Sequence, residues 1–292
     1  MKAYLFPGQG AQTLRMSVDI TAAFPASLSL YKEALDVTGV DLLHLTEEQL
    51  SLTRYTQLAI IVHSIACLER ERAEEPAAPA PSGTEATPDT VSIGLAGFSL
   101  GEYTALFAAG VIGYSELLLL VNERARLMQV ASDKNPGAMY AILGLSDEQV
   151  ESCLSKIKDV YPVNYNCPGQ LVIAGTEAAS EKAASELLAL GARRAMKLAV
   201  NGAFHCPFMA EAAASLREFA HTLAFAPSAA ALYSNASASR VPADADIPAY
   251  LETHMVSPVR FTDEIRRMRL DGYDEFIELG PGKVLTGLVK KI

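Results

Sequence analysis

One short stretch, from Val91 to Ala105, constrains this chain more than any other. It reads VSIGLAGFSLGEYTA, and it opens with an apolar run that is typical of a buried strand. The pattern G-x-S-x-G follows, with Ser99 at its centre, and a helix pattern then runs from Glu102 to Ala109. A strand, a tight turn flanked by glycines and a helix form the context of a nucleophile elbow. The stretch therefore predicts an exposed serine hydroxyl at the apex of a sharp turn.

The same residues also fit an ordinary strand-to-helix turn that is rich in small side chains, because G-x-S-x-G alone is a weak signal. If the turn is an elbow, the backbone N–H of Leu100 points to the place where an oxyanion would form. The helix that starts there also favours negative charge at this point.

Composition narrows the class of protein. Of the 292 residues, 50% are hydrophobic and 20% are charged, which is typical of a globular chain with a sizeable core. The net charge of −10 argues against a nucleic-acid partner. The N-terminal apolar segment is too short for a secretion signal, and no apolar run is long enough to span a membrane. We therefore expect a cytoplasmic protein without membrane contact, and no feature demands more than a monomer.

The cysteines are scattered and give no sign of a metal site. They form no C-x-x-C pair and no ligand spacing, so reduced thiols and no bound metal are expected. These cysteines are Cys67, Cys153, Cys167 and Cys206.

The N-terminal part begins with a predicted strand, Lys2 to Phe6, which leads into the loop PGQGAQ around Gln9. Glycines let such a loop pass close to a ligand. A phosphate-binding loop is the alternative, but the Lys-Ser/Thr of a P-loop and the G-x-G-x-x-G pattern are both missing. Residues 13–73 look mostly helical, and the Pro- and Ala-rich residues 74–90 are expected to form an exposed excursion.

An arginine lies within an apolar helix face further along the chain. Ser115 is a candidate N-cap for a helix from Glu116 to Ala131, and Arg124 shares one face with apolar residues that include Met128. A buried guanidinium needs a partner, because an unpaired buried charge is very costly. One interpretation is an internal salt bridge to an Asp or Glu, and the other is that Arg124 awaits a ligand carboxylate.

Residues 138–200 form a compact pattern of their own. Strand, helix, strand, strand, helix and strand follow one another, with Ser146 and Gln149 in capping-box spacing. This βαββαβ order is that of a ferredoxin-like unit. The fold prediction is α/β: a large α/β-hydrolase-like domain with a parallel sheet core, residues 1–132 and 201–292, and an inserted ferredoxin-like α+β domain, residues 133–200.

His205 lies where the chain returns from the inserted unit, in the loop NGAFHCP. A single histidine is usually structural or exposed, but this position, in a chain with a candidate serine nucleophile, favours a general base. Cys206 is a rival nucleophile. We give it less weight because sequence neighbours rarely present both side chains to one point.

Basic residues gather near the C-terminus. Such runs are usually solvated faces, but they also suit the docking of an acidic carrier protein. The two sets are Arg266, Arg267 and Arg269, and Lys283, Lys290 and Lys291.

Seven motifs together resemble the malonyl-CoA:acyl carrier protein transacylases of fatty-acid synthesis and the acyltransferases of polyketide synthases. The resemblance spans nearly the whole chain, and the motifs are specific as a set. In order they are PGQGAQ, GFSLGEYTAL, VNERARLMQ, VNYNCPGQLVIAG, GAFHCPFM, SPVRF and ELGPGKVLTGL.

This resemblance implies a role for each matched residue. Ser99 is the nucleophile, His205 its base, and Arg124 the partner of the malonyl carboxylate. The backbone N–H groups of Gln9 and Leu100 form the oxyanion hole. A backbone carbonyl takes the place of a triad acid, and its position here is His254. The remaining residues implied at the substrate are Gln57, Phe204, Met128 and Asn166.

Two positions depart from the family pattern. The residue before the nucleophile, usually His, is Phe98, and the residue that supplies the carbonyl, usually Gln or Asn, is His254. The first change removes a polar neighbour of Ser99. The second matters little if only the main chain contributes. In the polyketide branch, a bulky residue at the position of Phe204 accompanies malonyl rather than methylmalonyl substrates.

The resemblance implies a malonyl-CoA:acyl carrier protein S-malonyltransferase without a cofactor, in which malonyl-CoA and acyl carrier protein are the partners. The main alternative is a serine acyl-hydrolase that releases acyl groups to water. In α/β-hydrolases, however, the order is Ser, acid, His, with the His near the end. A second alternative is a non-catalytic protein that only docks carriers.

Overall fold

The computed structural model describes residues 1–74, 93–200 and 202–292, so residues 75–90 of the predicted excursion lie outside it. Within these ranges the chain forms two sheets, each covered by helices. The strands are β1 (Lys2–Phe6), β2 (Ile93–Gly97), β3 (Gly137–Leu143), β4 (Val160–Cys167), β5 (Gln170–Thr176), β6 (Arg194–Lys197), β7 (Ala231–Ser234), β8 (Ser239–Arg240) and β9 (Glu275–Glu278). The α-helices are α1 (Met16–Ala23), α2 (Leu28–Thr38), α3 (Glu47–Ser51), α4 (Thr53–Glu74), α5 (Gly101–Ala108), α6 (Tyr114–Lys134), α7 (Asp147–Leu154), α8 (Glu177–Ala189), α9 (Ala210–Ala220), α10 (Ile247–Val256), α11 (Phe261–Leu270) and α12 (Val284–Val289).

The larger sheet has the strand order β8-β7-β2-β1-β9. Strand β1 pairs in parallel with both β2 and β9, β2 pairs in parallel with β7, and only β8 runs antiparallel to its neighbour. Phe6 at the end of β1 lies opposite Gly97 at the end of β2. The carboxyl ends of parallel strands meet at one edge of a sheet, so the Gln9 loop and the Ser99 turn are neighbours.

Hydrophobic burial fixes the centre of this sheet. Ala3, Tyr4, Leu5 and Phe6 of β1 are all nearly inaccessible to solvent, so both faces of the strand are covered, as expected for a central parallel strand. Helix α4 is buried without interruption from Thr56 to Ala66, which explains its long apolar run. Within the described residues no helix has the length and apolarity needed to cross a membrane.

The smaller sheet is formed by residues of the inserted segment. Its elements follow the predicted order β3, α7, β4, β5, α8, β6, and its strands pair antiparallel in the order β4-β5-β3-β6. One face packs under α7 and α8, and the other contacts Ala203 and Cys206, which flank His205. The backbone N–H of Val259 donates to the carbonyl oxygen of Val163 at 2.8 Å, and its carbonyl oxygen accepts from the N–H of Tyr165 at 2.9 Å. These two hydrogen bonds connect the small sheet to the large unit.

Two local predictions have different outcomes. The capping box of Ser146 and Gln149 is confirmed, with reciprocal hydrogen bonds at the start of α7. The N-cap assigned to Ser115 is wrong. Helix α6 begins at Tyr114 with Gly113 as its N-cap, and the Ser115 hydroxyl donates to Glu33 on α2 instead. Glycine adopts the extended cap conformation readily, so the helix starts before the serine.

Candidate active site

The turn after β2 is sharper than an ordinary strand-to-helix connection. Ser99 has a φ of 52°, in the left-handed region that residues with a side chain rarely adopt. A Cβ added to Gly97 would lie 2.0 Å from the carbonyl carbon of Gly101, and one added to Gly101 would lie 1.9 Å from the carbonyl oxygen of Phe6. Both glycines of the motif are therefore required by the close approach of backbone to backbone.

His205 lies directly against the serine. Its Nε2 is 2.7 Å from Ser99 Oγ, although the two residues are 106 positions apart in sequence. Its Nδ1 lies 3.0 Å from the carbonyl oxygen of Ser257, so the other ring nitrogen is free to accept the serine proton. The carbonyl of His254, which the family pattern assigns to this role, also acts on the His205 ring, and the carbonyl of Ser257 is a second partner. The chain leaves α10 after Val256, and this brings the carbonyl of Ser257 to the ring nitrogen.

The environment of His205 keeps its imidazole neutral. Burial lowers the pKa of His205 from 6.5 to about 3, and electrostatic interactions with the neighbouring His254 and Arg124 act in the same direction. The carbonyls of Ser257 and His254 oppose this shift without cancelling it. A neutral imidazole is the form that can take a proton from a hydroxyl, so the ring is ready to act as a base at neutral pH.

Arg124 is buried without a carboxylate partner. Its side chain is 2% exposed, its Nη1 donates to Gln57 Oε1 at 2.7 Å, and its guanidinium lies 4.9 Å from the centre of the Tyr103 ring. Among the described residues it forms no ion pair, and its Nε has no hydrogen-bond acceptor. The internal salt bridge considered from the sequence is therefore not formed by the described residues. The guanidinium keeps donor capacity for a ligand.

These groups meet in a single cavity of about 600 Å³. Its walls come from both sheets, because Met139, Ala141 and Val172 of the small sheet face the turn after β2. Six of the predicted substrate residues line it with Ser99 and His205: Gln9, Leu100, Arg124, Met128, Phe204 and Asn166.

Two predicted residues lie behind the cavity wall. Gln57 supports Arg124 through its Oε1 and donates from Nε2 to Met128 Sδ at 3.4 Å. The ring of His254 lies edge-on to that of His205, with 5.6 Å between ring centres. The backbone N–H groups of Gln9 and Leu100 donate to no acceptor within the described ranges, so both remain available to an oxygen of a bound molecule.

Cys206 does not compete with the serine. It is buried, its Sγ donates to the carbonyl of Ala203, and burial raises the pKa of its thiol to about 11. A thiol that stays protonated is a poor nucleophile. All four cysteines are free.

Comparison with known proteins shows the family to which the chain belongs. The family model described as an acyl transferase domain matches residues 3–291. The malonyl CoA-acyl carrier protein transacylase of Haemophilus influenzae is 36% identical over 297 residues, covering 99% of this chain and 91% of that protein. The chain belongs to the malonyl CoA-acyl carrier protein transacylase family. The Bacillus subtilis member is 38% identical over 298 residues, with 99% of this chain and 90% of that protein covered.

Solved structures of this transacylase family share the fold. The Xanthomonas oryzae transacylase has a TM-score of 0.90 and 36% identity, with 99% of this chain and 90% of that chain covered. A malonyl-transacylase in complex with its type II PKS acyl-carrier protein gives the same TM-score, 0.90, at 36% identity, covering 100% of this chain and 92% of that chain. The mixed α/β architecture with a parallel sheet is therefore that of the transacylase family.

Phe98, the departure from the transacylase pattern, has an apolar environment. Its ring packs edge-on against Phe261 with 5.5 Å between ring centres, and it also lines the cavity. An aromatic ring at this point gives Ser99 an apolar neighbour, whereas a histidine would supply a further polar group.

Sequence reasoning missed a buried polar cluster beneath the serine. It consists of Glu102, Tyr250 and His254 on one side and Asn235 with Glu264 on the other. Two signals were available. Glu102 directly follows the G-x-S-x-G motif in an otherwise apolar segment, and Asn235 follows β7, whose carboxyl end lies at the edge where the other site residues gather.

Proposed function

We propose that this transacylase-family chain moves a malonyl group from coenzyme A to the pantetheine thiol of acyl carrier protein, through a malonyl ester on Ser99. The observation that carries this proposal is the pairing of a serine–histidine dyad with an unpaired, buried arginine in one cavity. The dyad can carry out acyl transfer, and the arginine can bind an acyl group that ends in a carboxylate.

In the first half-reaction, Ser99 Oγ attacks the thioester carbonyl of malonyl-CoA while His205 Nε2 accepts the hydroxyl proton. The Nδ1–H donates to Ser257 O, which fixes the tautomer and stabilises the imidazolium without a buried acid. The C–S bond breaks, and His205 returns the proton to the departing thiolate. The backbone N–H groups of Gln9 and Leu100 are assigned to the oxyanion, where each such donor is worth about 3 kcal/mol.

The second half-reaction reverses these steps with a different thiol. The pantetheine thiol of the carrier gives its proton to His205 and attacks the malonyl ester carbonyl. The bond to Ser99 Oγ breaks, and His205 returns the proton to that oxygen. In each half-reaction the neutral imidazole therefore acts as a base toward the attacking group, and the imidazolium formed then acts as an acid toward the leaving group.

Arg124 is assigned to the malonyl carboxylate, with Gln57 holding the guanidinium in place. Met128, Phe204 and Asn166 complete the acyl pocket. A neutral acyl group would leave the guanidinium unpaired, and that penalty is the basis for preferring malonyl over acetyl. The bulk of Phe204 leaves little room for a branched acyl group, which favours malonyl over methylmalonyl.

The fold supports a division of the chain into two domains. We describe residues 1–132 with 201–292 as a large, α/β-hydrolase-like domain and residues 133–200 as a ferredoxin-like one. The four-stranded antiparallel sheet with two helices on one face supports the second likeness, and the parallel sheet with its elbow supports the first. Helix α6 continues to Lys134, so the first crossing between them lies in the turn before β3.

We assign malonyl-CoA and acyl carrier protein as the partners of this chain. We assign the chain itself as a cytoplasmic monomer that uses no cofactor or metal. The related malonyl-transacylase in complex with its acyl-carrier protein supports the second partner. Val284, Leu285 and Leu288 of α12 line the cavity, and Lys283, Lys290 and Lys291 flank that helix. An acidic carrier that approaches the cavity would meet these lysines. Arg266 and Arg267 instead pair with carboxylates of their own helix region.

Intact-protein mass spectrometry tests this function. The protein is mixed with malonyl-CoA alone and then with holo acyl carrier protein. We expect a malonyl adduct on the protein in the first case and transfer to the carrier in the second. Ser99→Ala should form no adduct, while Ser237→Ala, an exposed serine in a turn, should behave as the unaltered protein. An adduct that persists in Ser99→Ala contradicts the assignment, and rapid release of free malonate without carrier would favour the acyl-hydrolase alternative.

A further inference from the structure

The side chain of Asn235 bridges both ends of the turn that carries Ser99. Its Oδ1 accepts a hydrogen bond from the backbone N–H of Ser99 at 2.6 Å, and its Nδ2 donates to the carbonyl oxygen of Gly97 at 2.6 Å. One amide therefore holds the peptide groups on either side of Phe98. Asn235 is 1% exposed, so water does not compete for these bonds.

Asn235 is itself held in place by three further hydrogen bonds. Its Nδ2 also donates to Glu264 Oε2 at 2.7 Å, and its backbone N–H donates to Glu102 Oε1 at 3.2 Å. Its carbonyl oxygen accepts from the N–H of Arg260 at 2.9 Å. Because two acceptors, Gly97 O and Glu264 Oε2, face the same end of the side chain, the NH₂ group must lie there and the oxygen must face Ser99.

The surroundings of Glu264 favour its uncharged form. It is 0% exposed, and burial, together with the nearby Glu102, raises its pKa well above the usual range of a glutamic acid. A neutral carboxylic acid still accepts a hydrogen bond from the amide of Asn235. It adds no negative charge beneath the place where an oxyanion forms.

The turn needs such a support. A non-glycine residue in the left-handed region costs about 1 to 3 kcal/mol and persists only where its surroundings over-determine it. Ser99 has a φ of 52°, and the dyad distance of 2.7 Å depends on that backbone conformation. A change in the turn would move the hydroxyl away from His205 without disturbing Arg124 or the acyl pocket.

We propose that Asn235, anchored by Glu264, is the positioning residue that holds Ser99 in its strained conformation and so sets the reactivity of the serine. This inference deepens the proposed function, and it rests on that function for the malonyl readout only. Neither residue touches the substrate, so both act through the backbone of Ser99.

The test measures the reactivity of Ser99 in two ways. The first is the rate of covalent labelling by a neutral fluorophosphonate, which needs the serine and its base but not Arg124. The second is steady-state malonyl transfer from malonyl-CoA to holo acyl carrier protein. For Asn235→Ala we expect labelling and kcat to fall about 10- to 100-fold, the range that small misplacements of reacting groups produce. The KM for malonyl-CoA should change by less than about three-fold, because the acyl pocket is intact.

The anchor gives a matched pair of variants. Glu264→Gln keeps an acceptor for Asn235 and should retain labelling within about three-fold, whereas Glu264→Leu removes the acceptor and should lower labelling by about ten-fold or more. All assays are run well below the melting temperature of each variant. If Asn235→Ala does not fold, the Glu264 pair decides the question.

The outcomes separate this inference from the proposed function. Slow labelling in the variants supports the inference even if malonyl transfer is absent from every form of the protein. Labelling at the unaltered rate in a folded Asn235→Ala, or in Glu264→Leu, overturns it. A loss in Glu264→Gln as large as that in Glu264→Leu also overturns it, because stability rather than the hydrogen bond would then explain the effect.

Discussion

Replacing Arg124 by alanine separates recognition of the acyl group from the chemistry of acyl transfer. Arg124 is 2% exposed, and its Nη1 donates a hydrogen bond to Gln57 Oε1. A malonyl carboxylate would add charge-assisted bonds to the donors that remain. Removing one partner of a buried, hydrogen-bonded charge pair costs about 2 to 5 kcal/mol. This corresponds to a fall in kcat/KM for malonyl-CoA of about 30-fold to 5,000-fold.

Acetyl-CoA provides the internal comparison. An acetyl group has no carboxylate, so its acylation rate in Arg124→Ala should stay within about five-fold of the unaltered protein or rise. The assay is single-turnover formation of acyl-enzyme, followed by intact mass, with each thioester in turn. Because Arg124 helps to lower the pKa of His205, its loss raises that pKa, and both proteins are compared near about pH 8, where the imidazole is neutral.

Arg126→Ala is the matched control on the same helix. Arg126 is 58% exposed and pairs with Glu123 at 2.6 Å, so its removal should change neither rate by more than about two-fold. An equal loss of malonyl and acetyl transfer in Arg124→Ala would refute the reasoning. It would mean that Arg124 supports the cavity through Tyr103 and Gln57 and does not recognise the substrate.

Two further predictions concern the base and the turn. Since the pKa of His205 is lowered to about 3, its imidazole stays neutral down to about pH 5, where an ordinary histidine would lose most of its neutral form. The rate of fluorophosphonate labelling should therefore remain constant from about pH 8 to about pH 5. A labelling rate that falls on acidification with a midpoint near pH 6.5 contradicts this. Gly101→Ala should abolish the cooperative thermal transition or lower it severely, because the new Cβ would lie 1.9 Å from Phe6 O, whereas Gly287→Ala, with open space around its Cβ position, should leave the melting temperature unchanged or raise it slightly.

The sequence predicted those parts of the site that have a local signature. The glycines around Ser99 and the arginine on an apolar helix face can each be recognised from a few neighbouring residues. A tight turn requires glycine, and a buried charge requires a partner. The βαββαβ order of the small unit was readable for the same reason, since each element carries its own period and its own caps.

The parts of the site that the sequence did not reveal depend on distant chain segments. Asn235 is 136 positions from Ser99, and its place after β7 indicates the sheet edge that it shares with the site but not the turn that it supports. The family pattern assigned the carbonyl of His254 to the His205 ring, but it did not reveal that the carbonyl of Ser257 meets the same ring. The path of the backbone after α10 brings Ser257 there, and that path has no sequence signature.

The small sheet also has a bearing on how the chain acquires its reactivity. The segment that delivers His205 packs on one face of this sheet, while Ser99 belongs to a strand end in the other core. A newly synthesised or partly unfolded chain therefore holds a serine with no proton acceptor beside it. Such a chain is inert toward thioesters, and only the completed molecule can begin to consume its acyl donor.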